Sequence, residues 1–128
     1  MTEDKQAQGR RNRLTGQWGE ALVAQDLRDK GWQVLAAEFR CRFGEIDLIV
    51  QNRAYLVFVE VKLRKNAAYS TPGAYVTQAK QARLRATAEY YLARYPTHLQ
   101  PRFDVAEVYA PQGTNTAAPT IHYIENAF

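Results

Sequence analysis

The chain has 128 residues, 46% of them hydrophobic and 23% charged, enough for one domain whose core needs no disulfide or metal staple. Seventeen Lys and Arg against thirteen Asp and Glu leave a net charge of +4 and a pI near 9.3, a weak pointer to a polyanionic partner. The single cysteine, Cys41, excludes an internal disulfide and a cysteine-rich zinc site; with no signal-like or bilayer-length apolar run, a cytoplasmic protein without membrane contact is expected.

Residues Met1 to Leu14 are polar, with Arg10, Arg11 and Arg13 clustered, and read as a flexible basic arm before a single domain over 15–128. Such an arm is either a solvated tail or an extra contact to phosphates. Thr15 can cap a helix to about Lys30, with Trp18, Leu22 and Leu27 as its apolar stripe and Gly31 as its stop. Glu20 falls in the first turns of that helix. Three strand-like runs follow, WQVLAAEF, EIDLIVQ and AYLVFVEVKL. Little more than Asn52 and Arg53 separates the second from the third, so they form an antiparallel hairpin.

Residues Arg64 to Gly73 read as a polar loop with a Thr-Pro-Gly end. A second helix runs from about Val76 to Tyr95, with Val76, Ala79, Leu84, Ala88, Tyr91, Leu92 and Tyr95 near helical spacing. Pro96 and Pro101 bracket its exit, RFDVAEVYA is a further strand, and IHYIEN follows as the last one after a loose loop, Pro111 to Pro119. The strand–helix–strand unit from VFVEVK to RFDVAEV should set those two strands parallel, with a right-handed crossover. The expected fold class is α/β, a mixed β-sheet flanked by helices in the order αβββαββ.

The third strand poses the functional question. Its alternation puts Val57, Val59, Val61 and Leu63 on one face and Phe58, Glu60, Lys62 and Arg64 on the other, so a dry strand ends in ions. In the second strand Ile46, Leu48 and Val50 share an apolar face, against Glu45, Asp47, Ile49 and Gln51. If Gln51 pairs with Ala54, Asp47 lies diagonal to Glu60; if Gln51 pairs with Leu56, Asp47 lies opposite Glu60. Either register gathers Asp47, Glu60 and Lys62 on one face, and an odd-length loop would send Asp47 to the other. Two accounts fit that triad. One is an ion pair in which Lys62 neutralises Glu60 and Asp47 finds an arginine, although such pairs seldom stabilise. The other is a divalent-cation site, since Mg²⁺ takes one or two carboxylates and is completed by water and phosphate oxygens, with the lysine acting on water or on charge at phosphorus.

An acid, about a dozen residues, then Glu-x-Lys on a hairpin resembles the restriction-endonuclease-like (PD-(D/E)xK) superfamily. The blocks GQWGE (Gly16 to Glu20), FGEIDLI (Phe43 to Ile49), FVEVKLR (Phe58 to Arg64), Lys80 and RFDV (Arg102 to Val105) resemble more closely the YraN-like family of small bacterial proteins, similar to archaeal Holliday junction resolvases. The resemblance implies a restriction-endonuclease-like core and a metal-dependent endonuclease acting on branched or structured DNA with Mg²⁺ or Mn²⁺. It implies that Asp47 and Glu60 are metal ligands, with the Val61 carbonyl as a further one, that Lys62 is the catalytic lysine and that Glu20 is a helix-borne acid supporting the site. Ile46 stands where the superfamily usually has proline. The alternative functions are a non-catalytic nucleic-acid-binding module and an assembly protein whose triad is only structural.

Arg40 and Arg42, just before the hairpin, are placed to reach a DNA backbone; Lys80, Arg83, Arg85 and Arg94 against Glu89 make the second helix basic, either to track phosphates or as a solvated face. Tyr90, Tyr91 and Tyr95 are either base-stacking groups or, for the latter two, core. Asp104 is expected to pair with a nearby arginine; His98 and His122 receive no role. The expected partner is DNA, and a homodimer is left open.

Overall fold

Helix α1 spans Thr2–Asp29 and stops where Gly31 allows a left-handed turn at φ 95°. The N–H of Trp32 returns to the Leu27 carbonyl and that of Gly31 to Arg28, the paired bonds that close a helix end on glycine. The helix begins at Thr2 rather than Thr15, so residues 2–14 continue it. This stretch contains no proline, and turns anchored by buried Val23, Ala24 and Leu27 supply the nucleus from which a helix propagates. The computed structural model describes residues 2–65 and 76–128, and of residues 2–8 and 10–12 the backbone alone. The loop read at Arg64 to Gly73 lies, from residue 66 onward, outside the described residues, and the side chains of Arg10 and Arg11 do as well.

Five strands follow: β1 (Gln33–Cys41), β2 (Gly44–Gln51), β3 (Tyr55–Arg64), β4 (Gln100–Tyr109) and β5 (Thr120–Ile124). Helix α2 (Gln78–Arg94) stands between β3 and β4, and a 3₁₀ turn, Gly113–Asn115, sits in the loop before β5. They form one sheet in the order β1-β2-β3-β4-β5, antiparallel except for the β3–β4 pair, which is parallel. The fold is α/β, a mixed sheet with helices in the order αβββαββ.

The alternation of β3 divides the core. Val57 and Val59 pack toward Val23 and Leu27 of α1, while Leu56 and Phe58 pack toward Leu84, Ala88 and Tyr91 of α2. Three expectations change. Ile46 does not share a face with Leu48 and Val50: it joins Ile49 on the α2 side. The cause is a break in the β1–β2 ladder, where Ala37 pairs with Leu48 and Phe39 with Ile46 but Glu38 and Asp47 between them do not pair. Glu38 takes a left-handed φ of 53° there. Tyr95 is 53% exposed, lying on the Tyr91 ring instead of in the core, and Ala79 is exposed too. Among the described residues no helix is long and apolar enough to cross a membrane.

Candidate active site

The site is set by the turn before β3. Asn52 Oδ1 accepts the backbone N–H groups of Ala54 and Tyr55 at 2.9 and 2.8 Å, an asparagine turn that fixes the hairpin. Gln51 pairs with Leu56, the longer of the two even registers. The ladder ends at Leu48 and Val59, one step short of Asp47 and Glu60. Beyond it the Asp47 carboxylate stands in for a backbone acceptor, with Oδ2 receiving the Val61 N–H at 2.8 Å. The two strands part where the acids begin.

Glu60 is 8% exposed and serves two cations through one oxygen. Lys80 Nζ lies 2.5 Å and Lys62 Nζ 3.3 Å from its Oε1. Lys80 reaches it because Thr77 caps α2, accepting the Lys80 N–H at 3.1 Å, and the buried Val76 pins the residue before the cap. Lys80 therefore belongs to the site itself. The sequence marked it as a basic helix residue and a family match, but its ion partner depends on how α2 docks.

On the other side, α1 brings Glu20 to Asp47. Gly19 makes the approach possible, since a Cβ there would meet Leu63 Cδ2 at 3.1 Å. Glu20 interacts with Asp47 and with Glu38, and Glu20 and Glu38 line an open cleft of about 430 Å³ between α1 and β1. Glu38 was not singled out from the sequence, where nothing in AAEF signals that its backbone turns left-handed. Holding a non-glycine residue there costs on the order of 1–3 kcal/mol.

The charges do not balance locally. Burial, then the charges of Asp47 and Glu38, push the Glu20 carboxyl up to about 8. Burial and the charge of Glu60 push Asp47 up to about 6, against the Val61 N–H and Lys80, which lower it. Burial also drives the Lys62 ammonium below its ordinary value, helped by Lys80 and opposed by Glu60. Burial is the largest single effect on Lys80 and works against its charge, but the bond and charge of Glu60, with Lys62 and Asp47, together outweigh it and raise it. The pair of lysines thus holds one firm cation and one more easily deprotonated amine.

Among the described residues no group of three or more His, Cys, Asp or Glu side chains is arranged to hold a metal ion. Two hard carboxylates, Asp47 and Glu60, with crowded negative charge around Asp47, do fit Mg²⁺ or Mn²⁺, which is satisfied by one or two carboxylates plus water and phosphate.

The other cations divide. Arg40 pairs with Glu45 at 3.0 Å on the surface. Arg42 lies over the Phe43 ring, 4.7 Å from its centroid, and Arg83 is exposed on α2. Asp104 pairs with Arg102, as expected from the sequence. A further acid, Glu107, is 1% exposed and sits beside Lys62 in the β3–β4 register, 3.6 Å from Arg64. An acid in the apolar run of β4 could have flagged it.

The family described as "Uncharacterised protein family UPF0102" matches residues 19–108, a span containing Glu20, Asp47, Glu60, Lys62 and Lys80. The UPF0102 protein of Symbiobacterium thermophilum is 49% identical over 98 residues, 76% of this chain and 83% of that protein. The UPF0102 protein of Syntrophomonas wolfei is 38% identical over 118 residues, covering 91% of this chain and 99% of its own. That of Lachnoclostridium phytofermentans is 39% identical over 118 residues, covering 91% and 93%.

Proposed function

Starting from a chain that belongs to the UPF0102 family, the YraN-like family of restriction-endonuclease-like type, we propose a metal-dependent endonuclease that hydrolyses phosphodiester bonds in branched or structured DNA. The observation that carries this reading is the break in the hairpin, where Asp47 accepts the Val61 N–H and stands in the field of Glu60, with Lys62 and Lys80 alongside.

In this reading Asp47 and Glu60 hold the cation, with the Val61 carbonyl as a further oxygen donor. Mg²⁺ or Mn²⁺, when bound, supplies Lewis-acid stabilisation of charge on the phosphate. Lys62, whose ammonium is disfavoured by burial, orients the attacking water and takes up its proton. Lys80 stays charged, balances Glu60 and faces the negative charge that grows in the transition state. Glu20 keeps Asp47 in place and shares its charge. Arg42 and Arg83 bind the DNA backbone.

One observation favours a second reading, a non-catalytic nucleic-acid-binding module: Glu60 is already neutralised by Lys80 at 2.5 Å. Incubating the protein with a panel of branched and linear DNAs in Mg²⁺ or Mn²⁺ separates the two. Cleavage of a branched substrate that is lost in Asp47→Ala supports the endonuclease. DNA binding with no cleavage of any substrate supports the module.

A further inference from the structure

Outside the charged cluster, one surface combines an exposed ring, Phe43, and a half-buried one, Tyr90, with arginines. The β1–β2 turn carries Arg42 and Phe43, and Phe43 keeps 38% of its surface exposed although it is large and apolar. Its ring meets Tyr90 of α2, centroid to centroid 6.3 Å and steeply tilted at 63°. Arg94, one turn further along α2, donates from Nη1 to the Tyr90 hydroxyl at 3.3 Å.

The turn is locked to the helix. Gly44 lies so close to α2 that a Cβ would come within 3.2 Å of Thr87 Oγ1 and 3.8 Å of Arg83 Cβ. Only glycine, here at φ 149°, lets the turn lie against the helix and present Phe43 beside Tyr90. Thr87 keeps its own bond internal, to the Arg83 carbonyl at 2.8 Å.

The spacing gives this surface a direction. Arg83, Thr87, Tyr90 and Arg94 recur at four, three and four residues, so they share one flank of α2, and Lys80 of the candidate active site stands a turn before Arg83. At 1.5 Å per residue, Tyr90 lies about 15 Å along the axis from Lys80. Glu89, the one acid in α2, is about 100° round the helix from Tyr90, and Glu45, the acid at the start of β2 beside the turn, is paired with Arg40. The flank therefore carries Arg83 on one side and Tyr90 and Arg94 on the other side of Thr87, which is buried against the turn at Gly44.

We propose that this flank holds an unpaired DNA strand leading away from the candidate active site, its bases stacking on Phe43 and Tyr90 and its phosphates meeting Arg42, Arg83 and Arg94. Paired bases hide their faces inside the duplex, whereas an unpaired strand offers them to aromatic rings, and alternating rings and cations are the chemistry that such strands use. The inference rests on the endonuclease reading for its substrate and narrows that substrate to DNA with an unpaired arm.

The test is fluorescence anisotropy with a labelled oligothymidylate and, separately, a blunt duplex, in EDTA so that no strand is cut. Tyr90→Ala and Phe43→Ala should each weaken oligothymidylate binding roughly 5- to 150-fold, and duplex binding far less. Tyr90→Phe keeps the ring and loses only the bond to Arg94, so it should stay near the parent. Parent protein that ignores oligothymidylate, alanine variants at parent affinity, or equal losses on both DNAs would overturn the proposal. Tyr90→Phe as weak as Tyr90→Ala would overturn it as well. Because cutting plays no part in the readout, the strand surface can fail while cleavage survives, and can hold when no cleavage is found.

Discussion

Glu60 on β3 and Asp104 on β4 are buried acids of one sheet, 8% and 6% exposed, yet their surroundings differ in kind. Arg102 donates to both oxygens of Asp104 at 2.9 Å, and Asn126 adds its N–H at 3.0 Å. The guanidinium is itself held over Tyr55, 4.6 Å from the ring centroid. That is one buried acid held by one planar cation and a backbone N–H, with the exposed Glu125 3.9 Å from the same guanidinium. At Glu60 two ammoniums compete for one oxygen, while Asp47 and Glu20 nearby are pushed above their ordinary values. A closed pair locks the chain; an open, unevenly matched cluster leaves carboxylate charge to be met by something from outside.

The largest effect should come from breaking the closed pair. Arg102→Ala strands a buried carboxylate and should cost about 3–5 kcal/mol in chemical denaturation. A loss below about 1 kcal/mol would mean that Asp104 is not held as its bonds suggest. The open cluster should respond in rate instead. Lys62→Ala should slow single-turnover cleavage of a bound branched DNA by roughly 10²–10³, with DNA affinity near the parent value. Equal rates would remove this lysine from the chemistry.

The two regions also part company with pH. Asp47 and Glu20 sit above their ordinary values of 3.8 and 4.5, at about 6 and about 8. A carboxyl raised by folding contributes stability fully below its unfolded value and loses it as the pH climbs through the folded one. Metal-free protein should therefore lose roughly a few degrees of Tm between about pH 4 and 8, and Glu20→Gln should flatten the upper part of the slope. A Tm that rises across that window would contradict the crowding. The smallest effect concerns the surface cations. Arg83→Ala should reduce the salt slope of duplex binding by about 0.9, and Arg40→Ala, already tied to Glu45, by less.

Much of this was legible in the chain. Period-two alternation in VFVEVKLR puts Glu60 and Lys62 on one face, and either even hairpin register brings Asp47 to them; the structure selects Gln51 with Leu56. What escaped depended on contacts distant in sequence or on local backbone departures. Lys80 finds Glu60 only because α2 crosses β3 at its ionic end. Ile46 changes face because the ladder skips Glu38 and Asp47, a distortion that alternation cannot express. The upstream half of α1 is polar and signals no helix by periodicity; it continues one that packing nucleates further on.

Calorimetric titration of Mn²⁺ into metal-free parent, Asp47→Ala, Glu60→Ala and Asp104→Asn protein tests most directly whether the open cluster awaits a cation. The expected result is binding by the parent and by Asp104→Asn, if that variant stays folded, and loss of binding in Asp47→Ala and Glu60→Ala. Titration curves for Asp47→Ala and Glu60→Ala that match the parent's, or a parent that takes up no Mn²⁺, would contradict it.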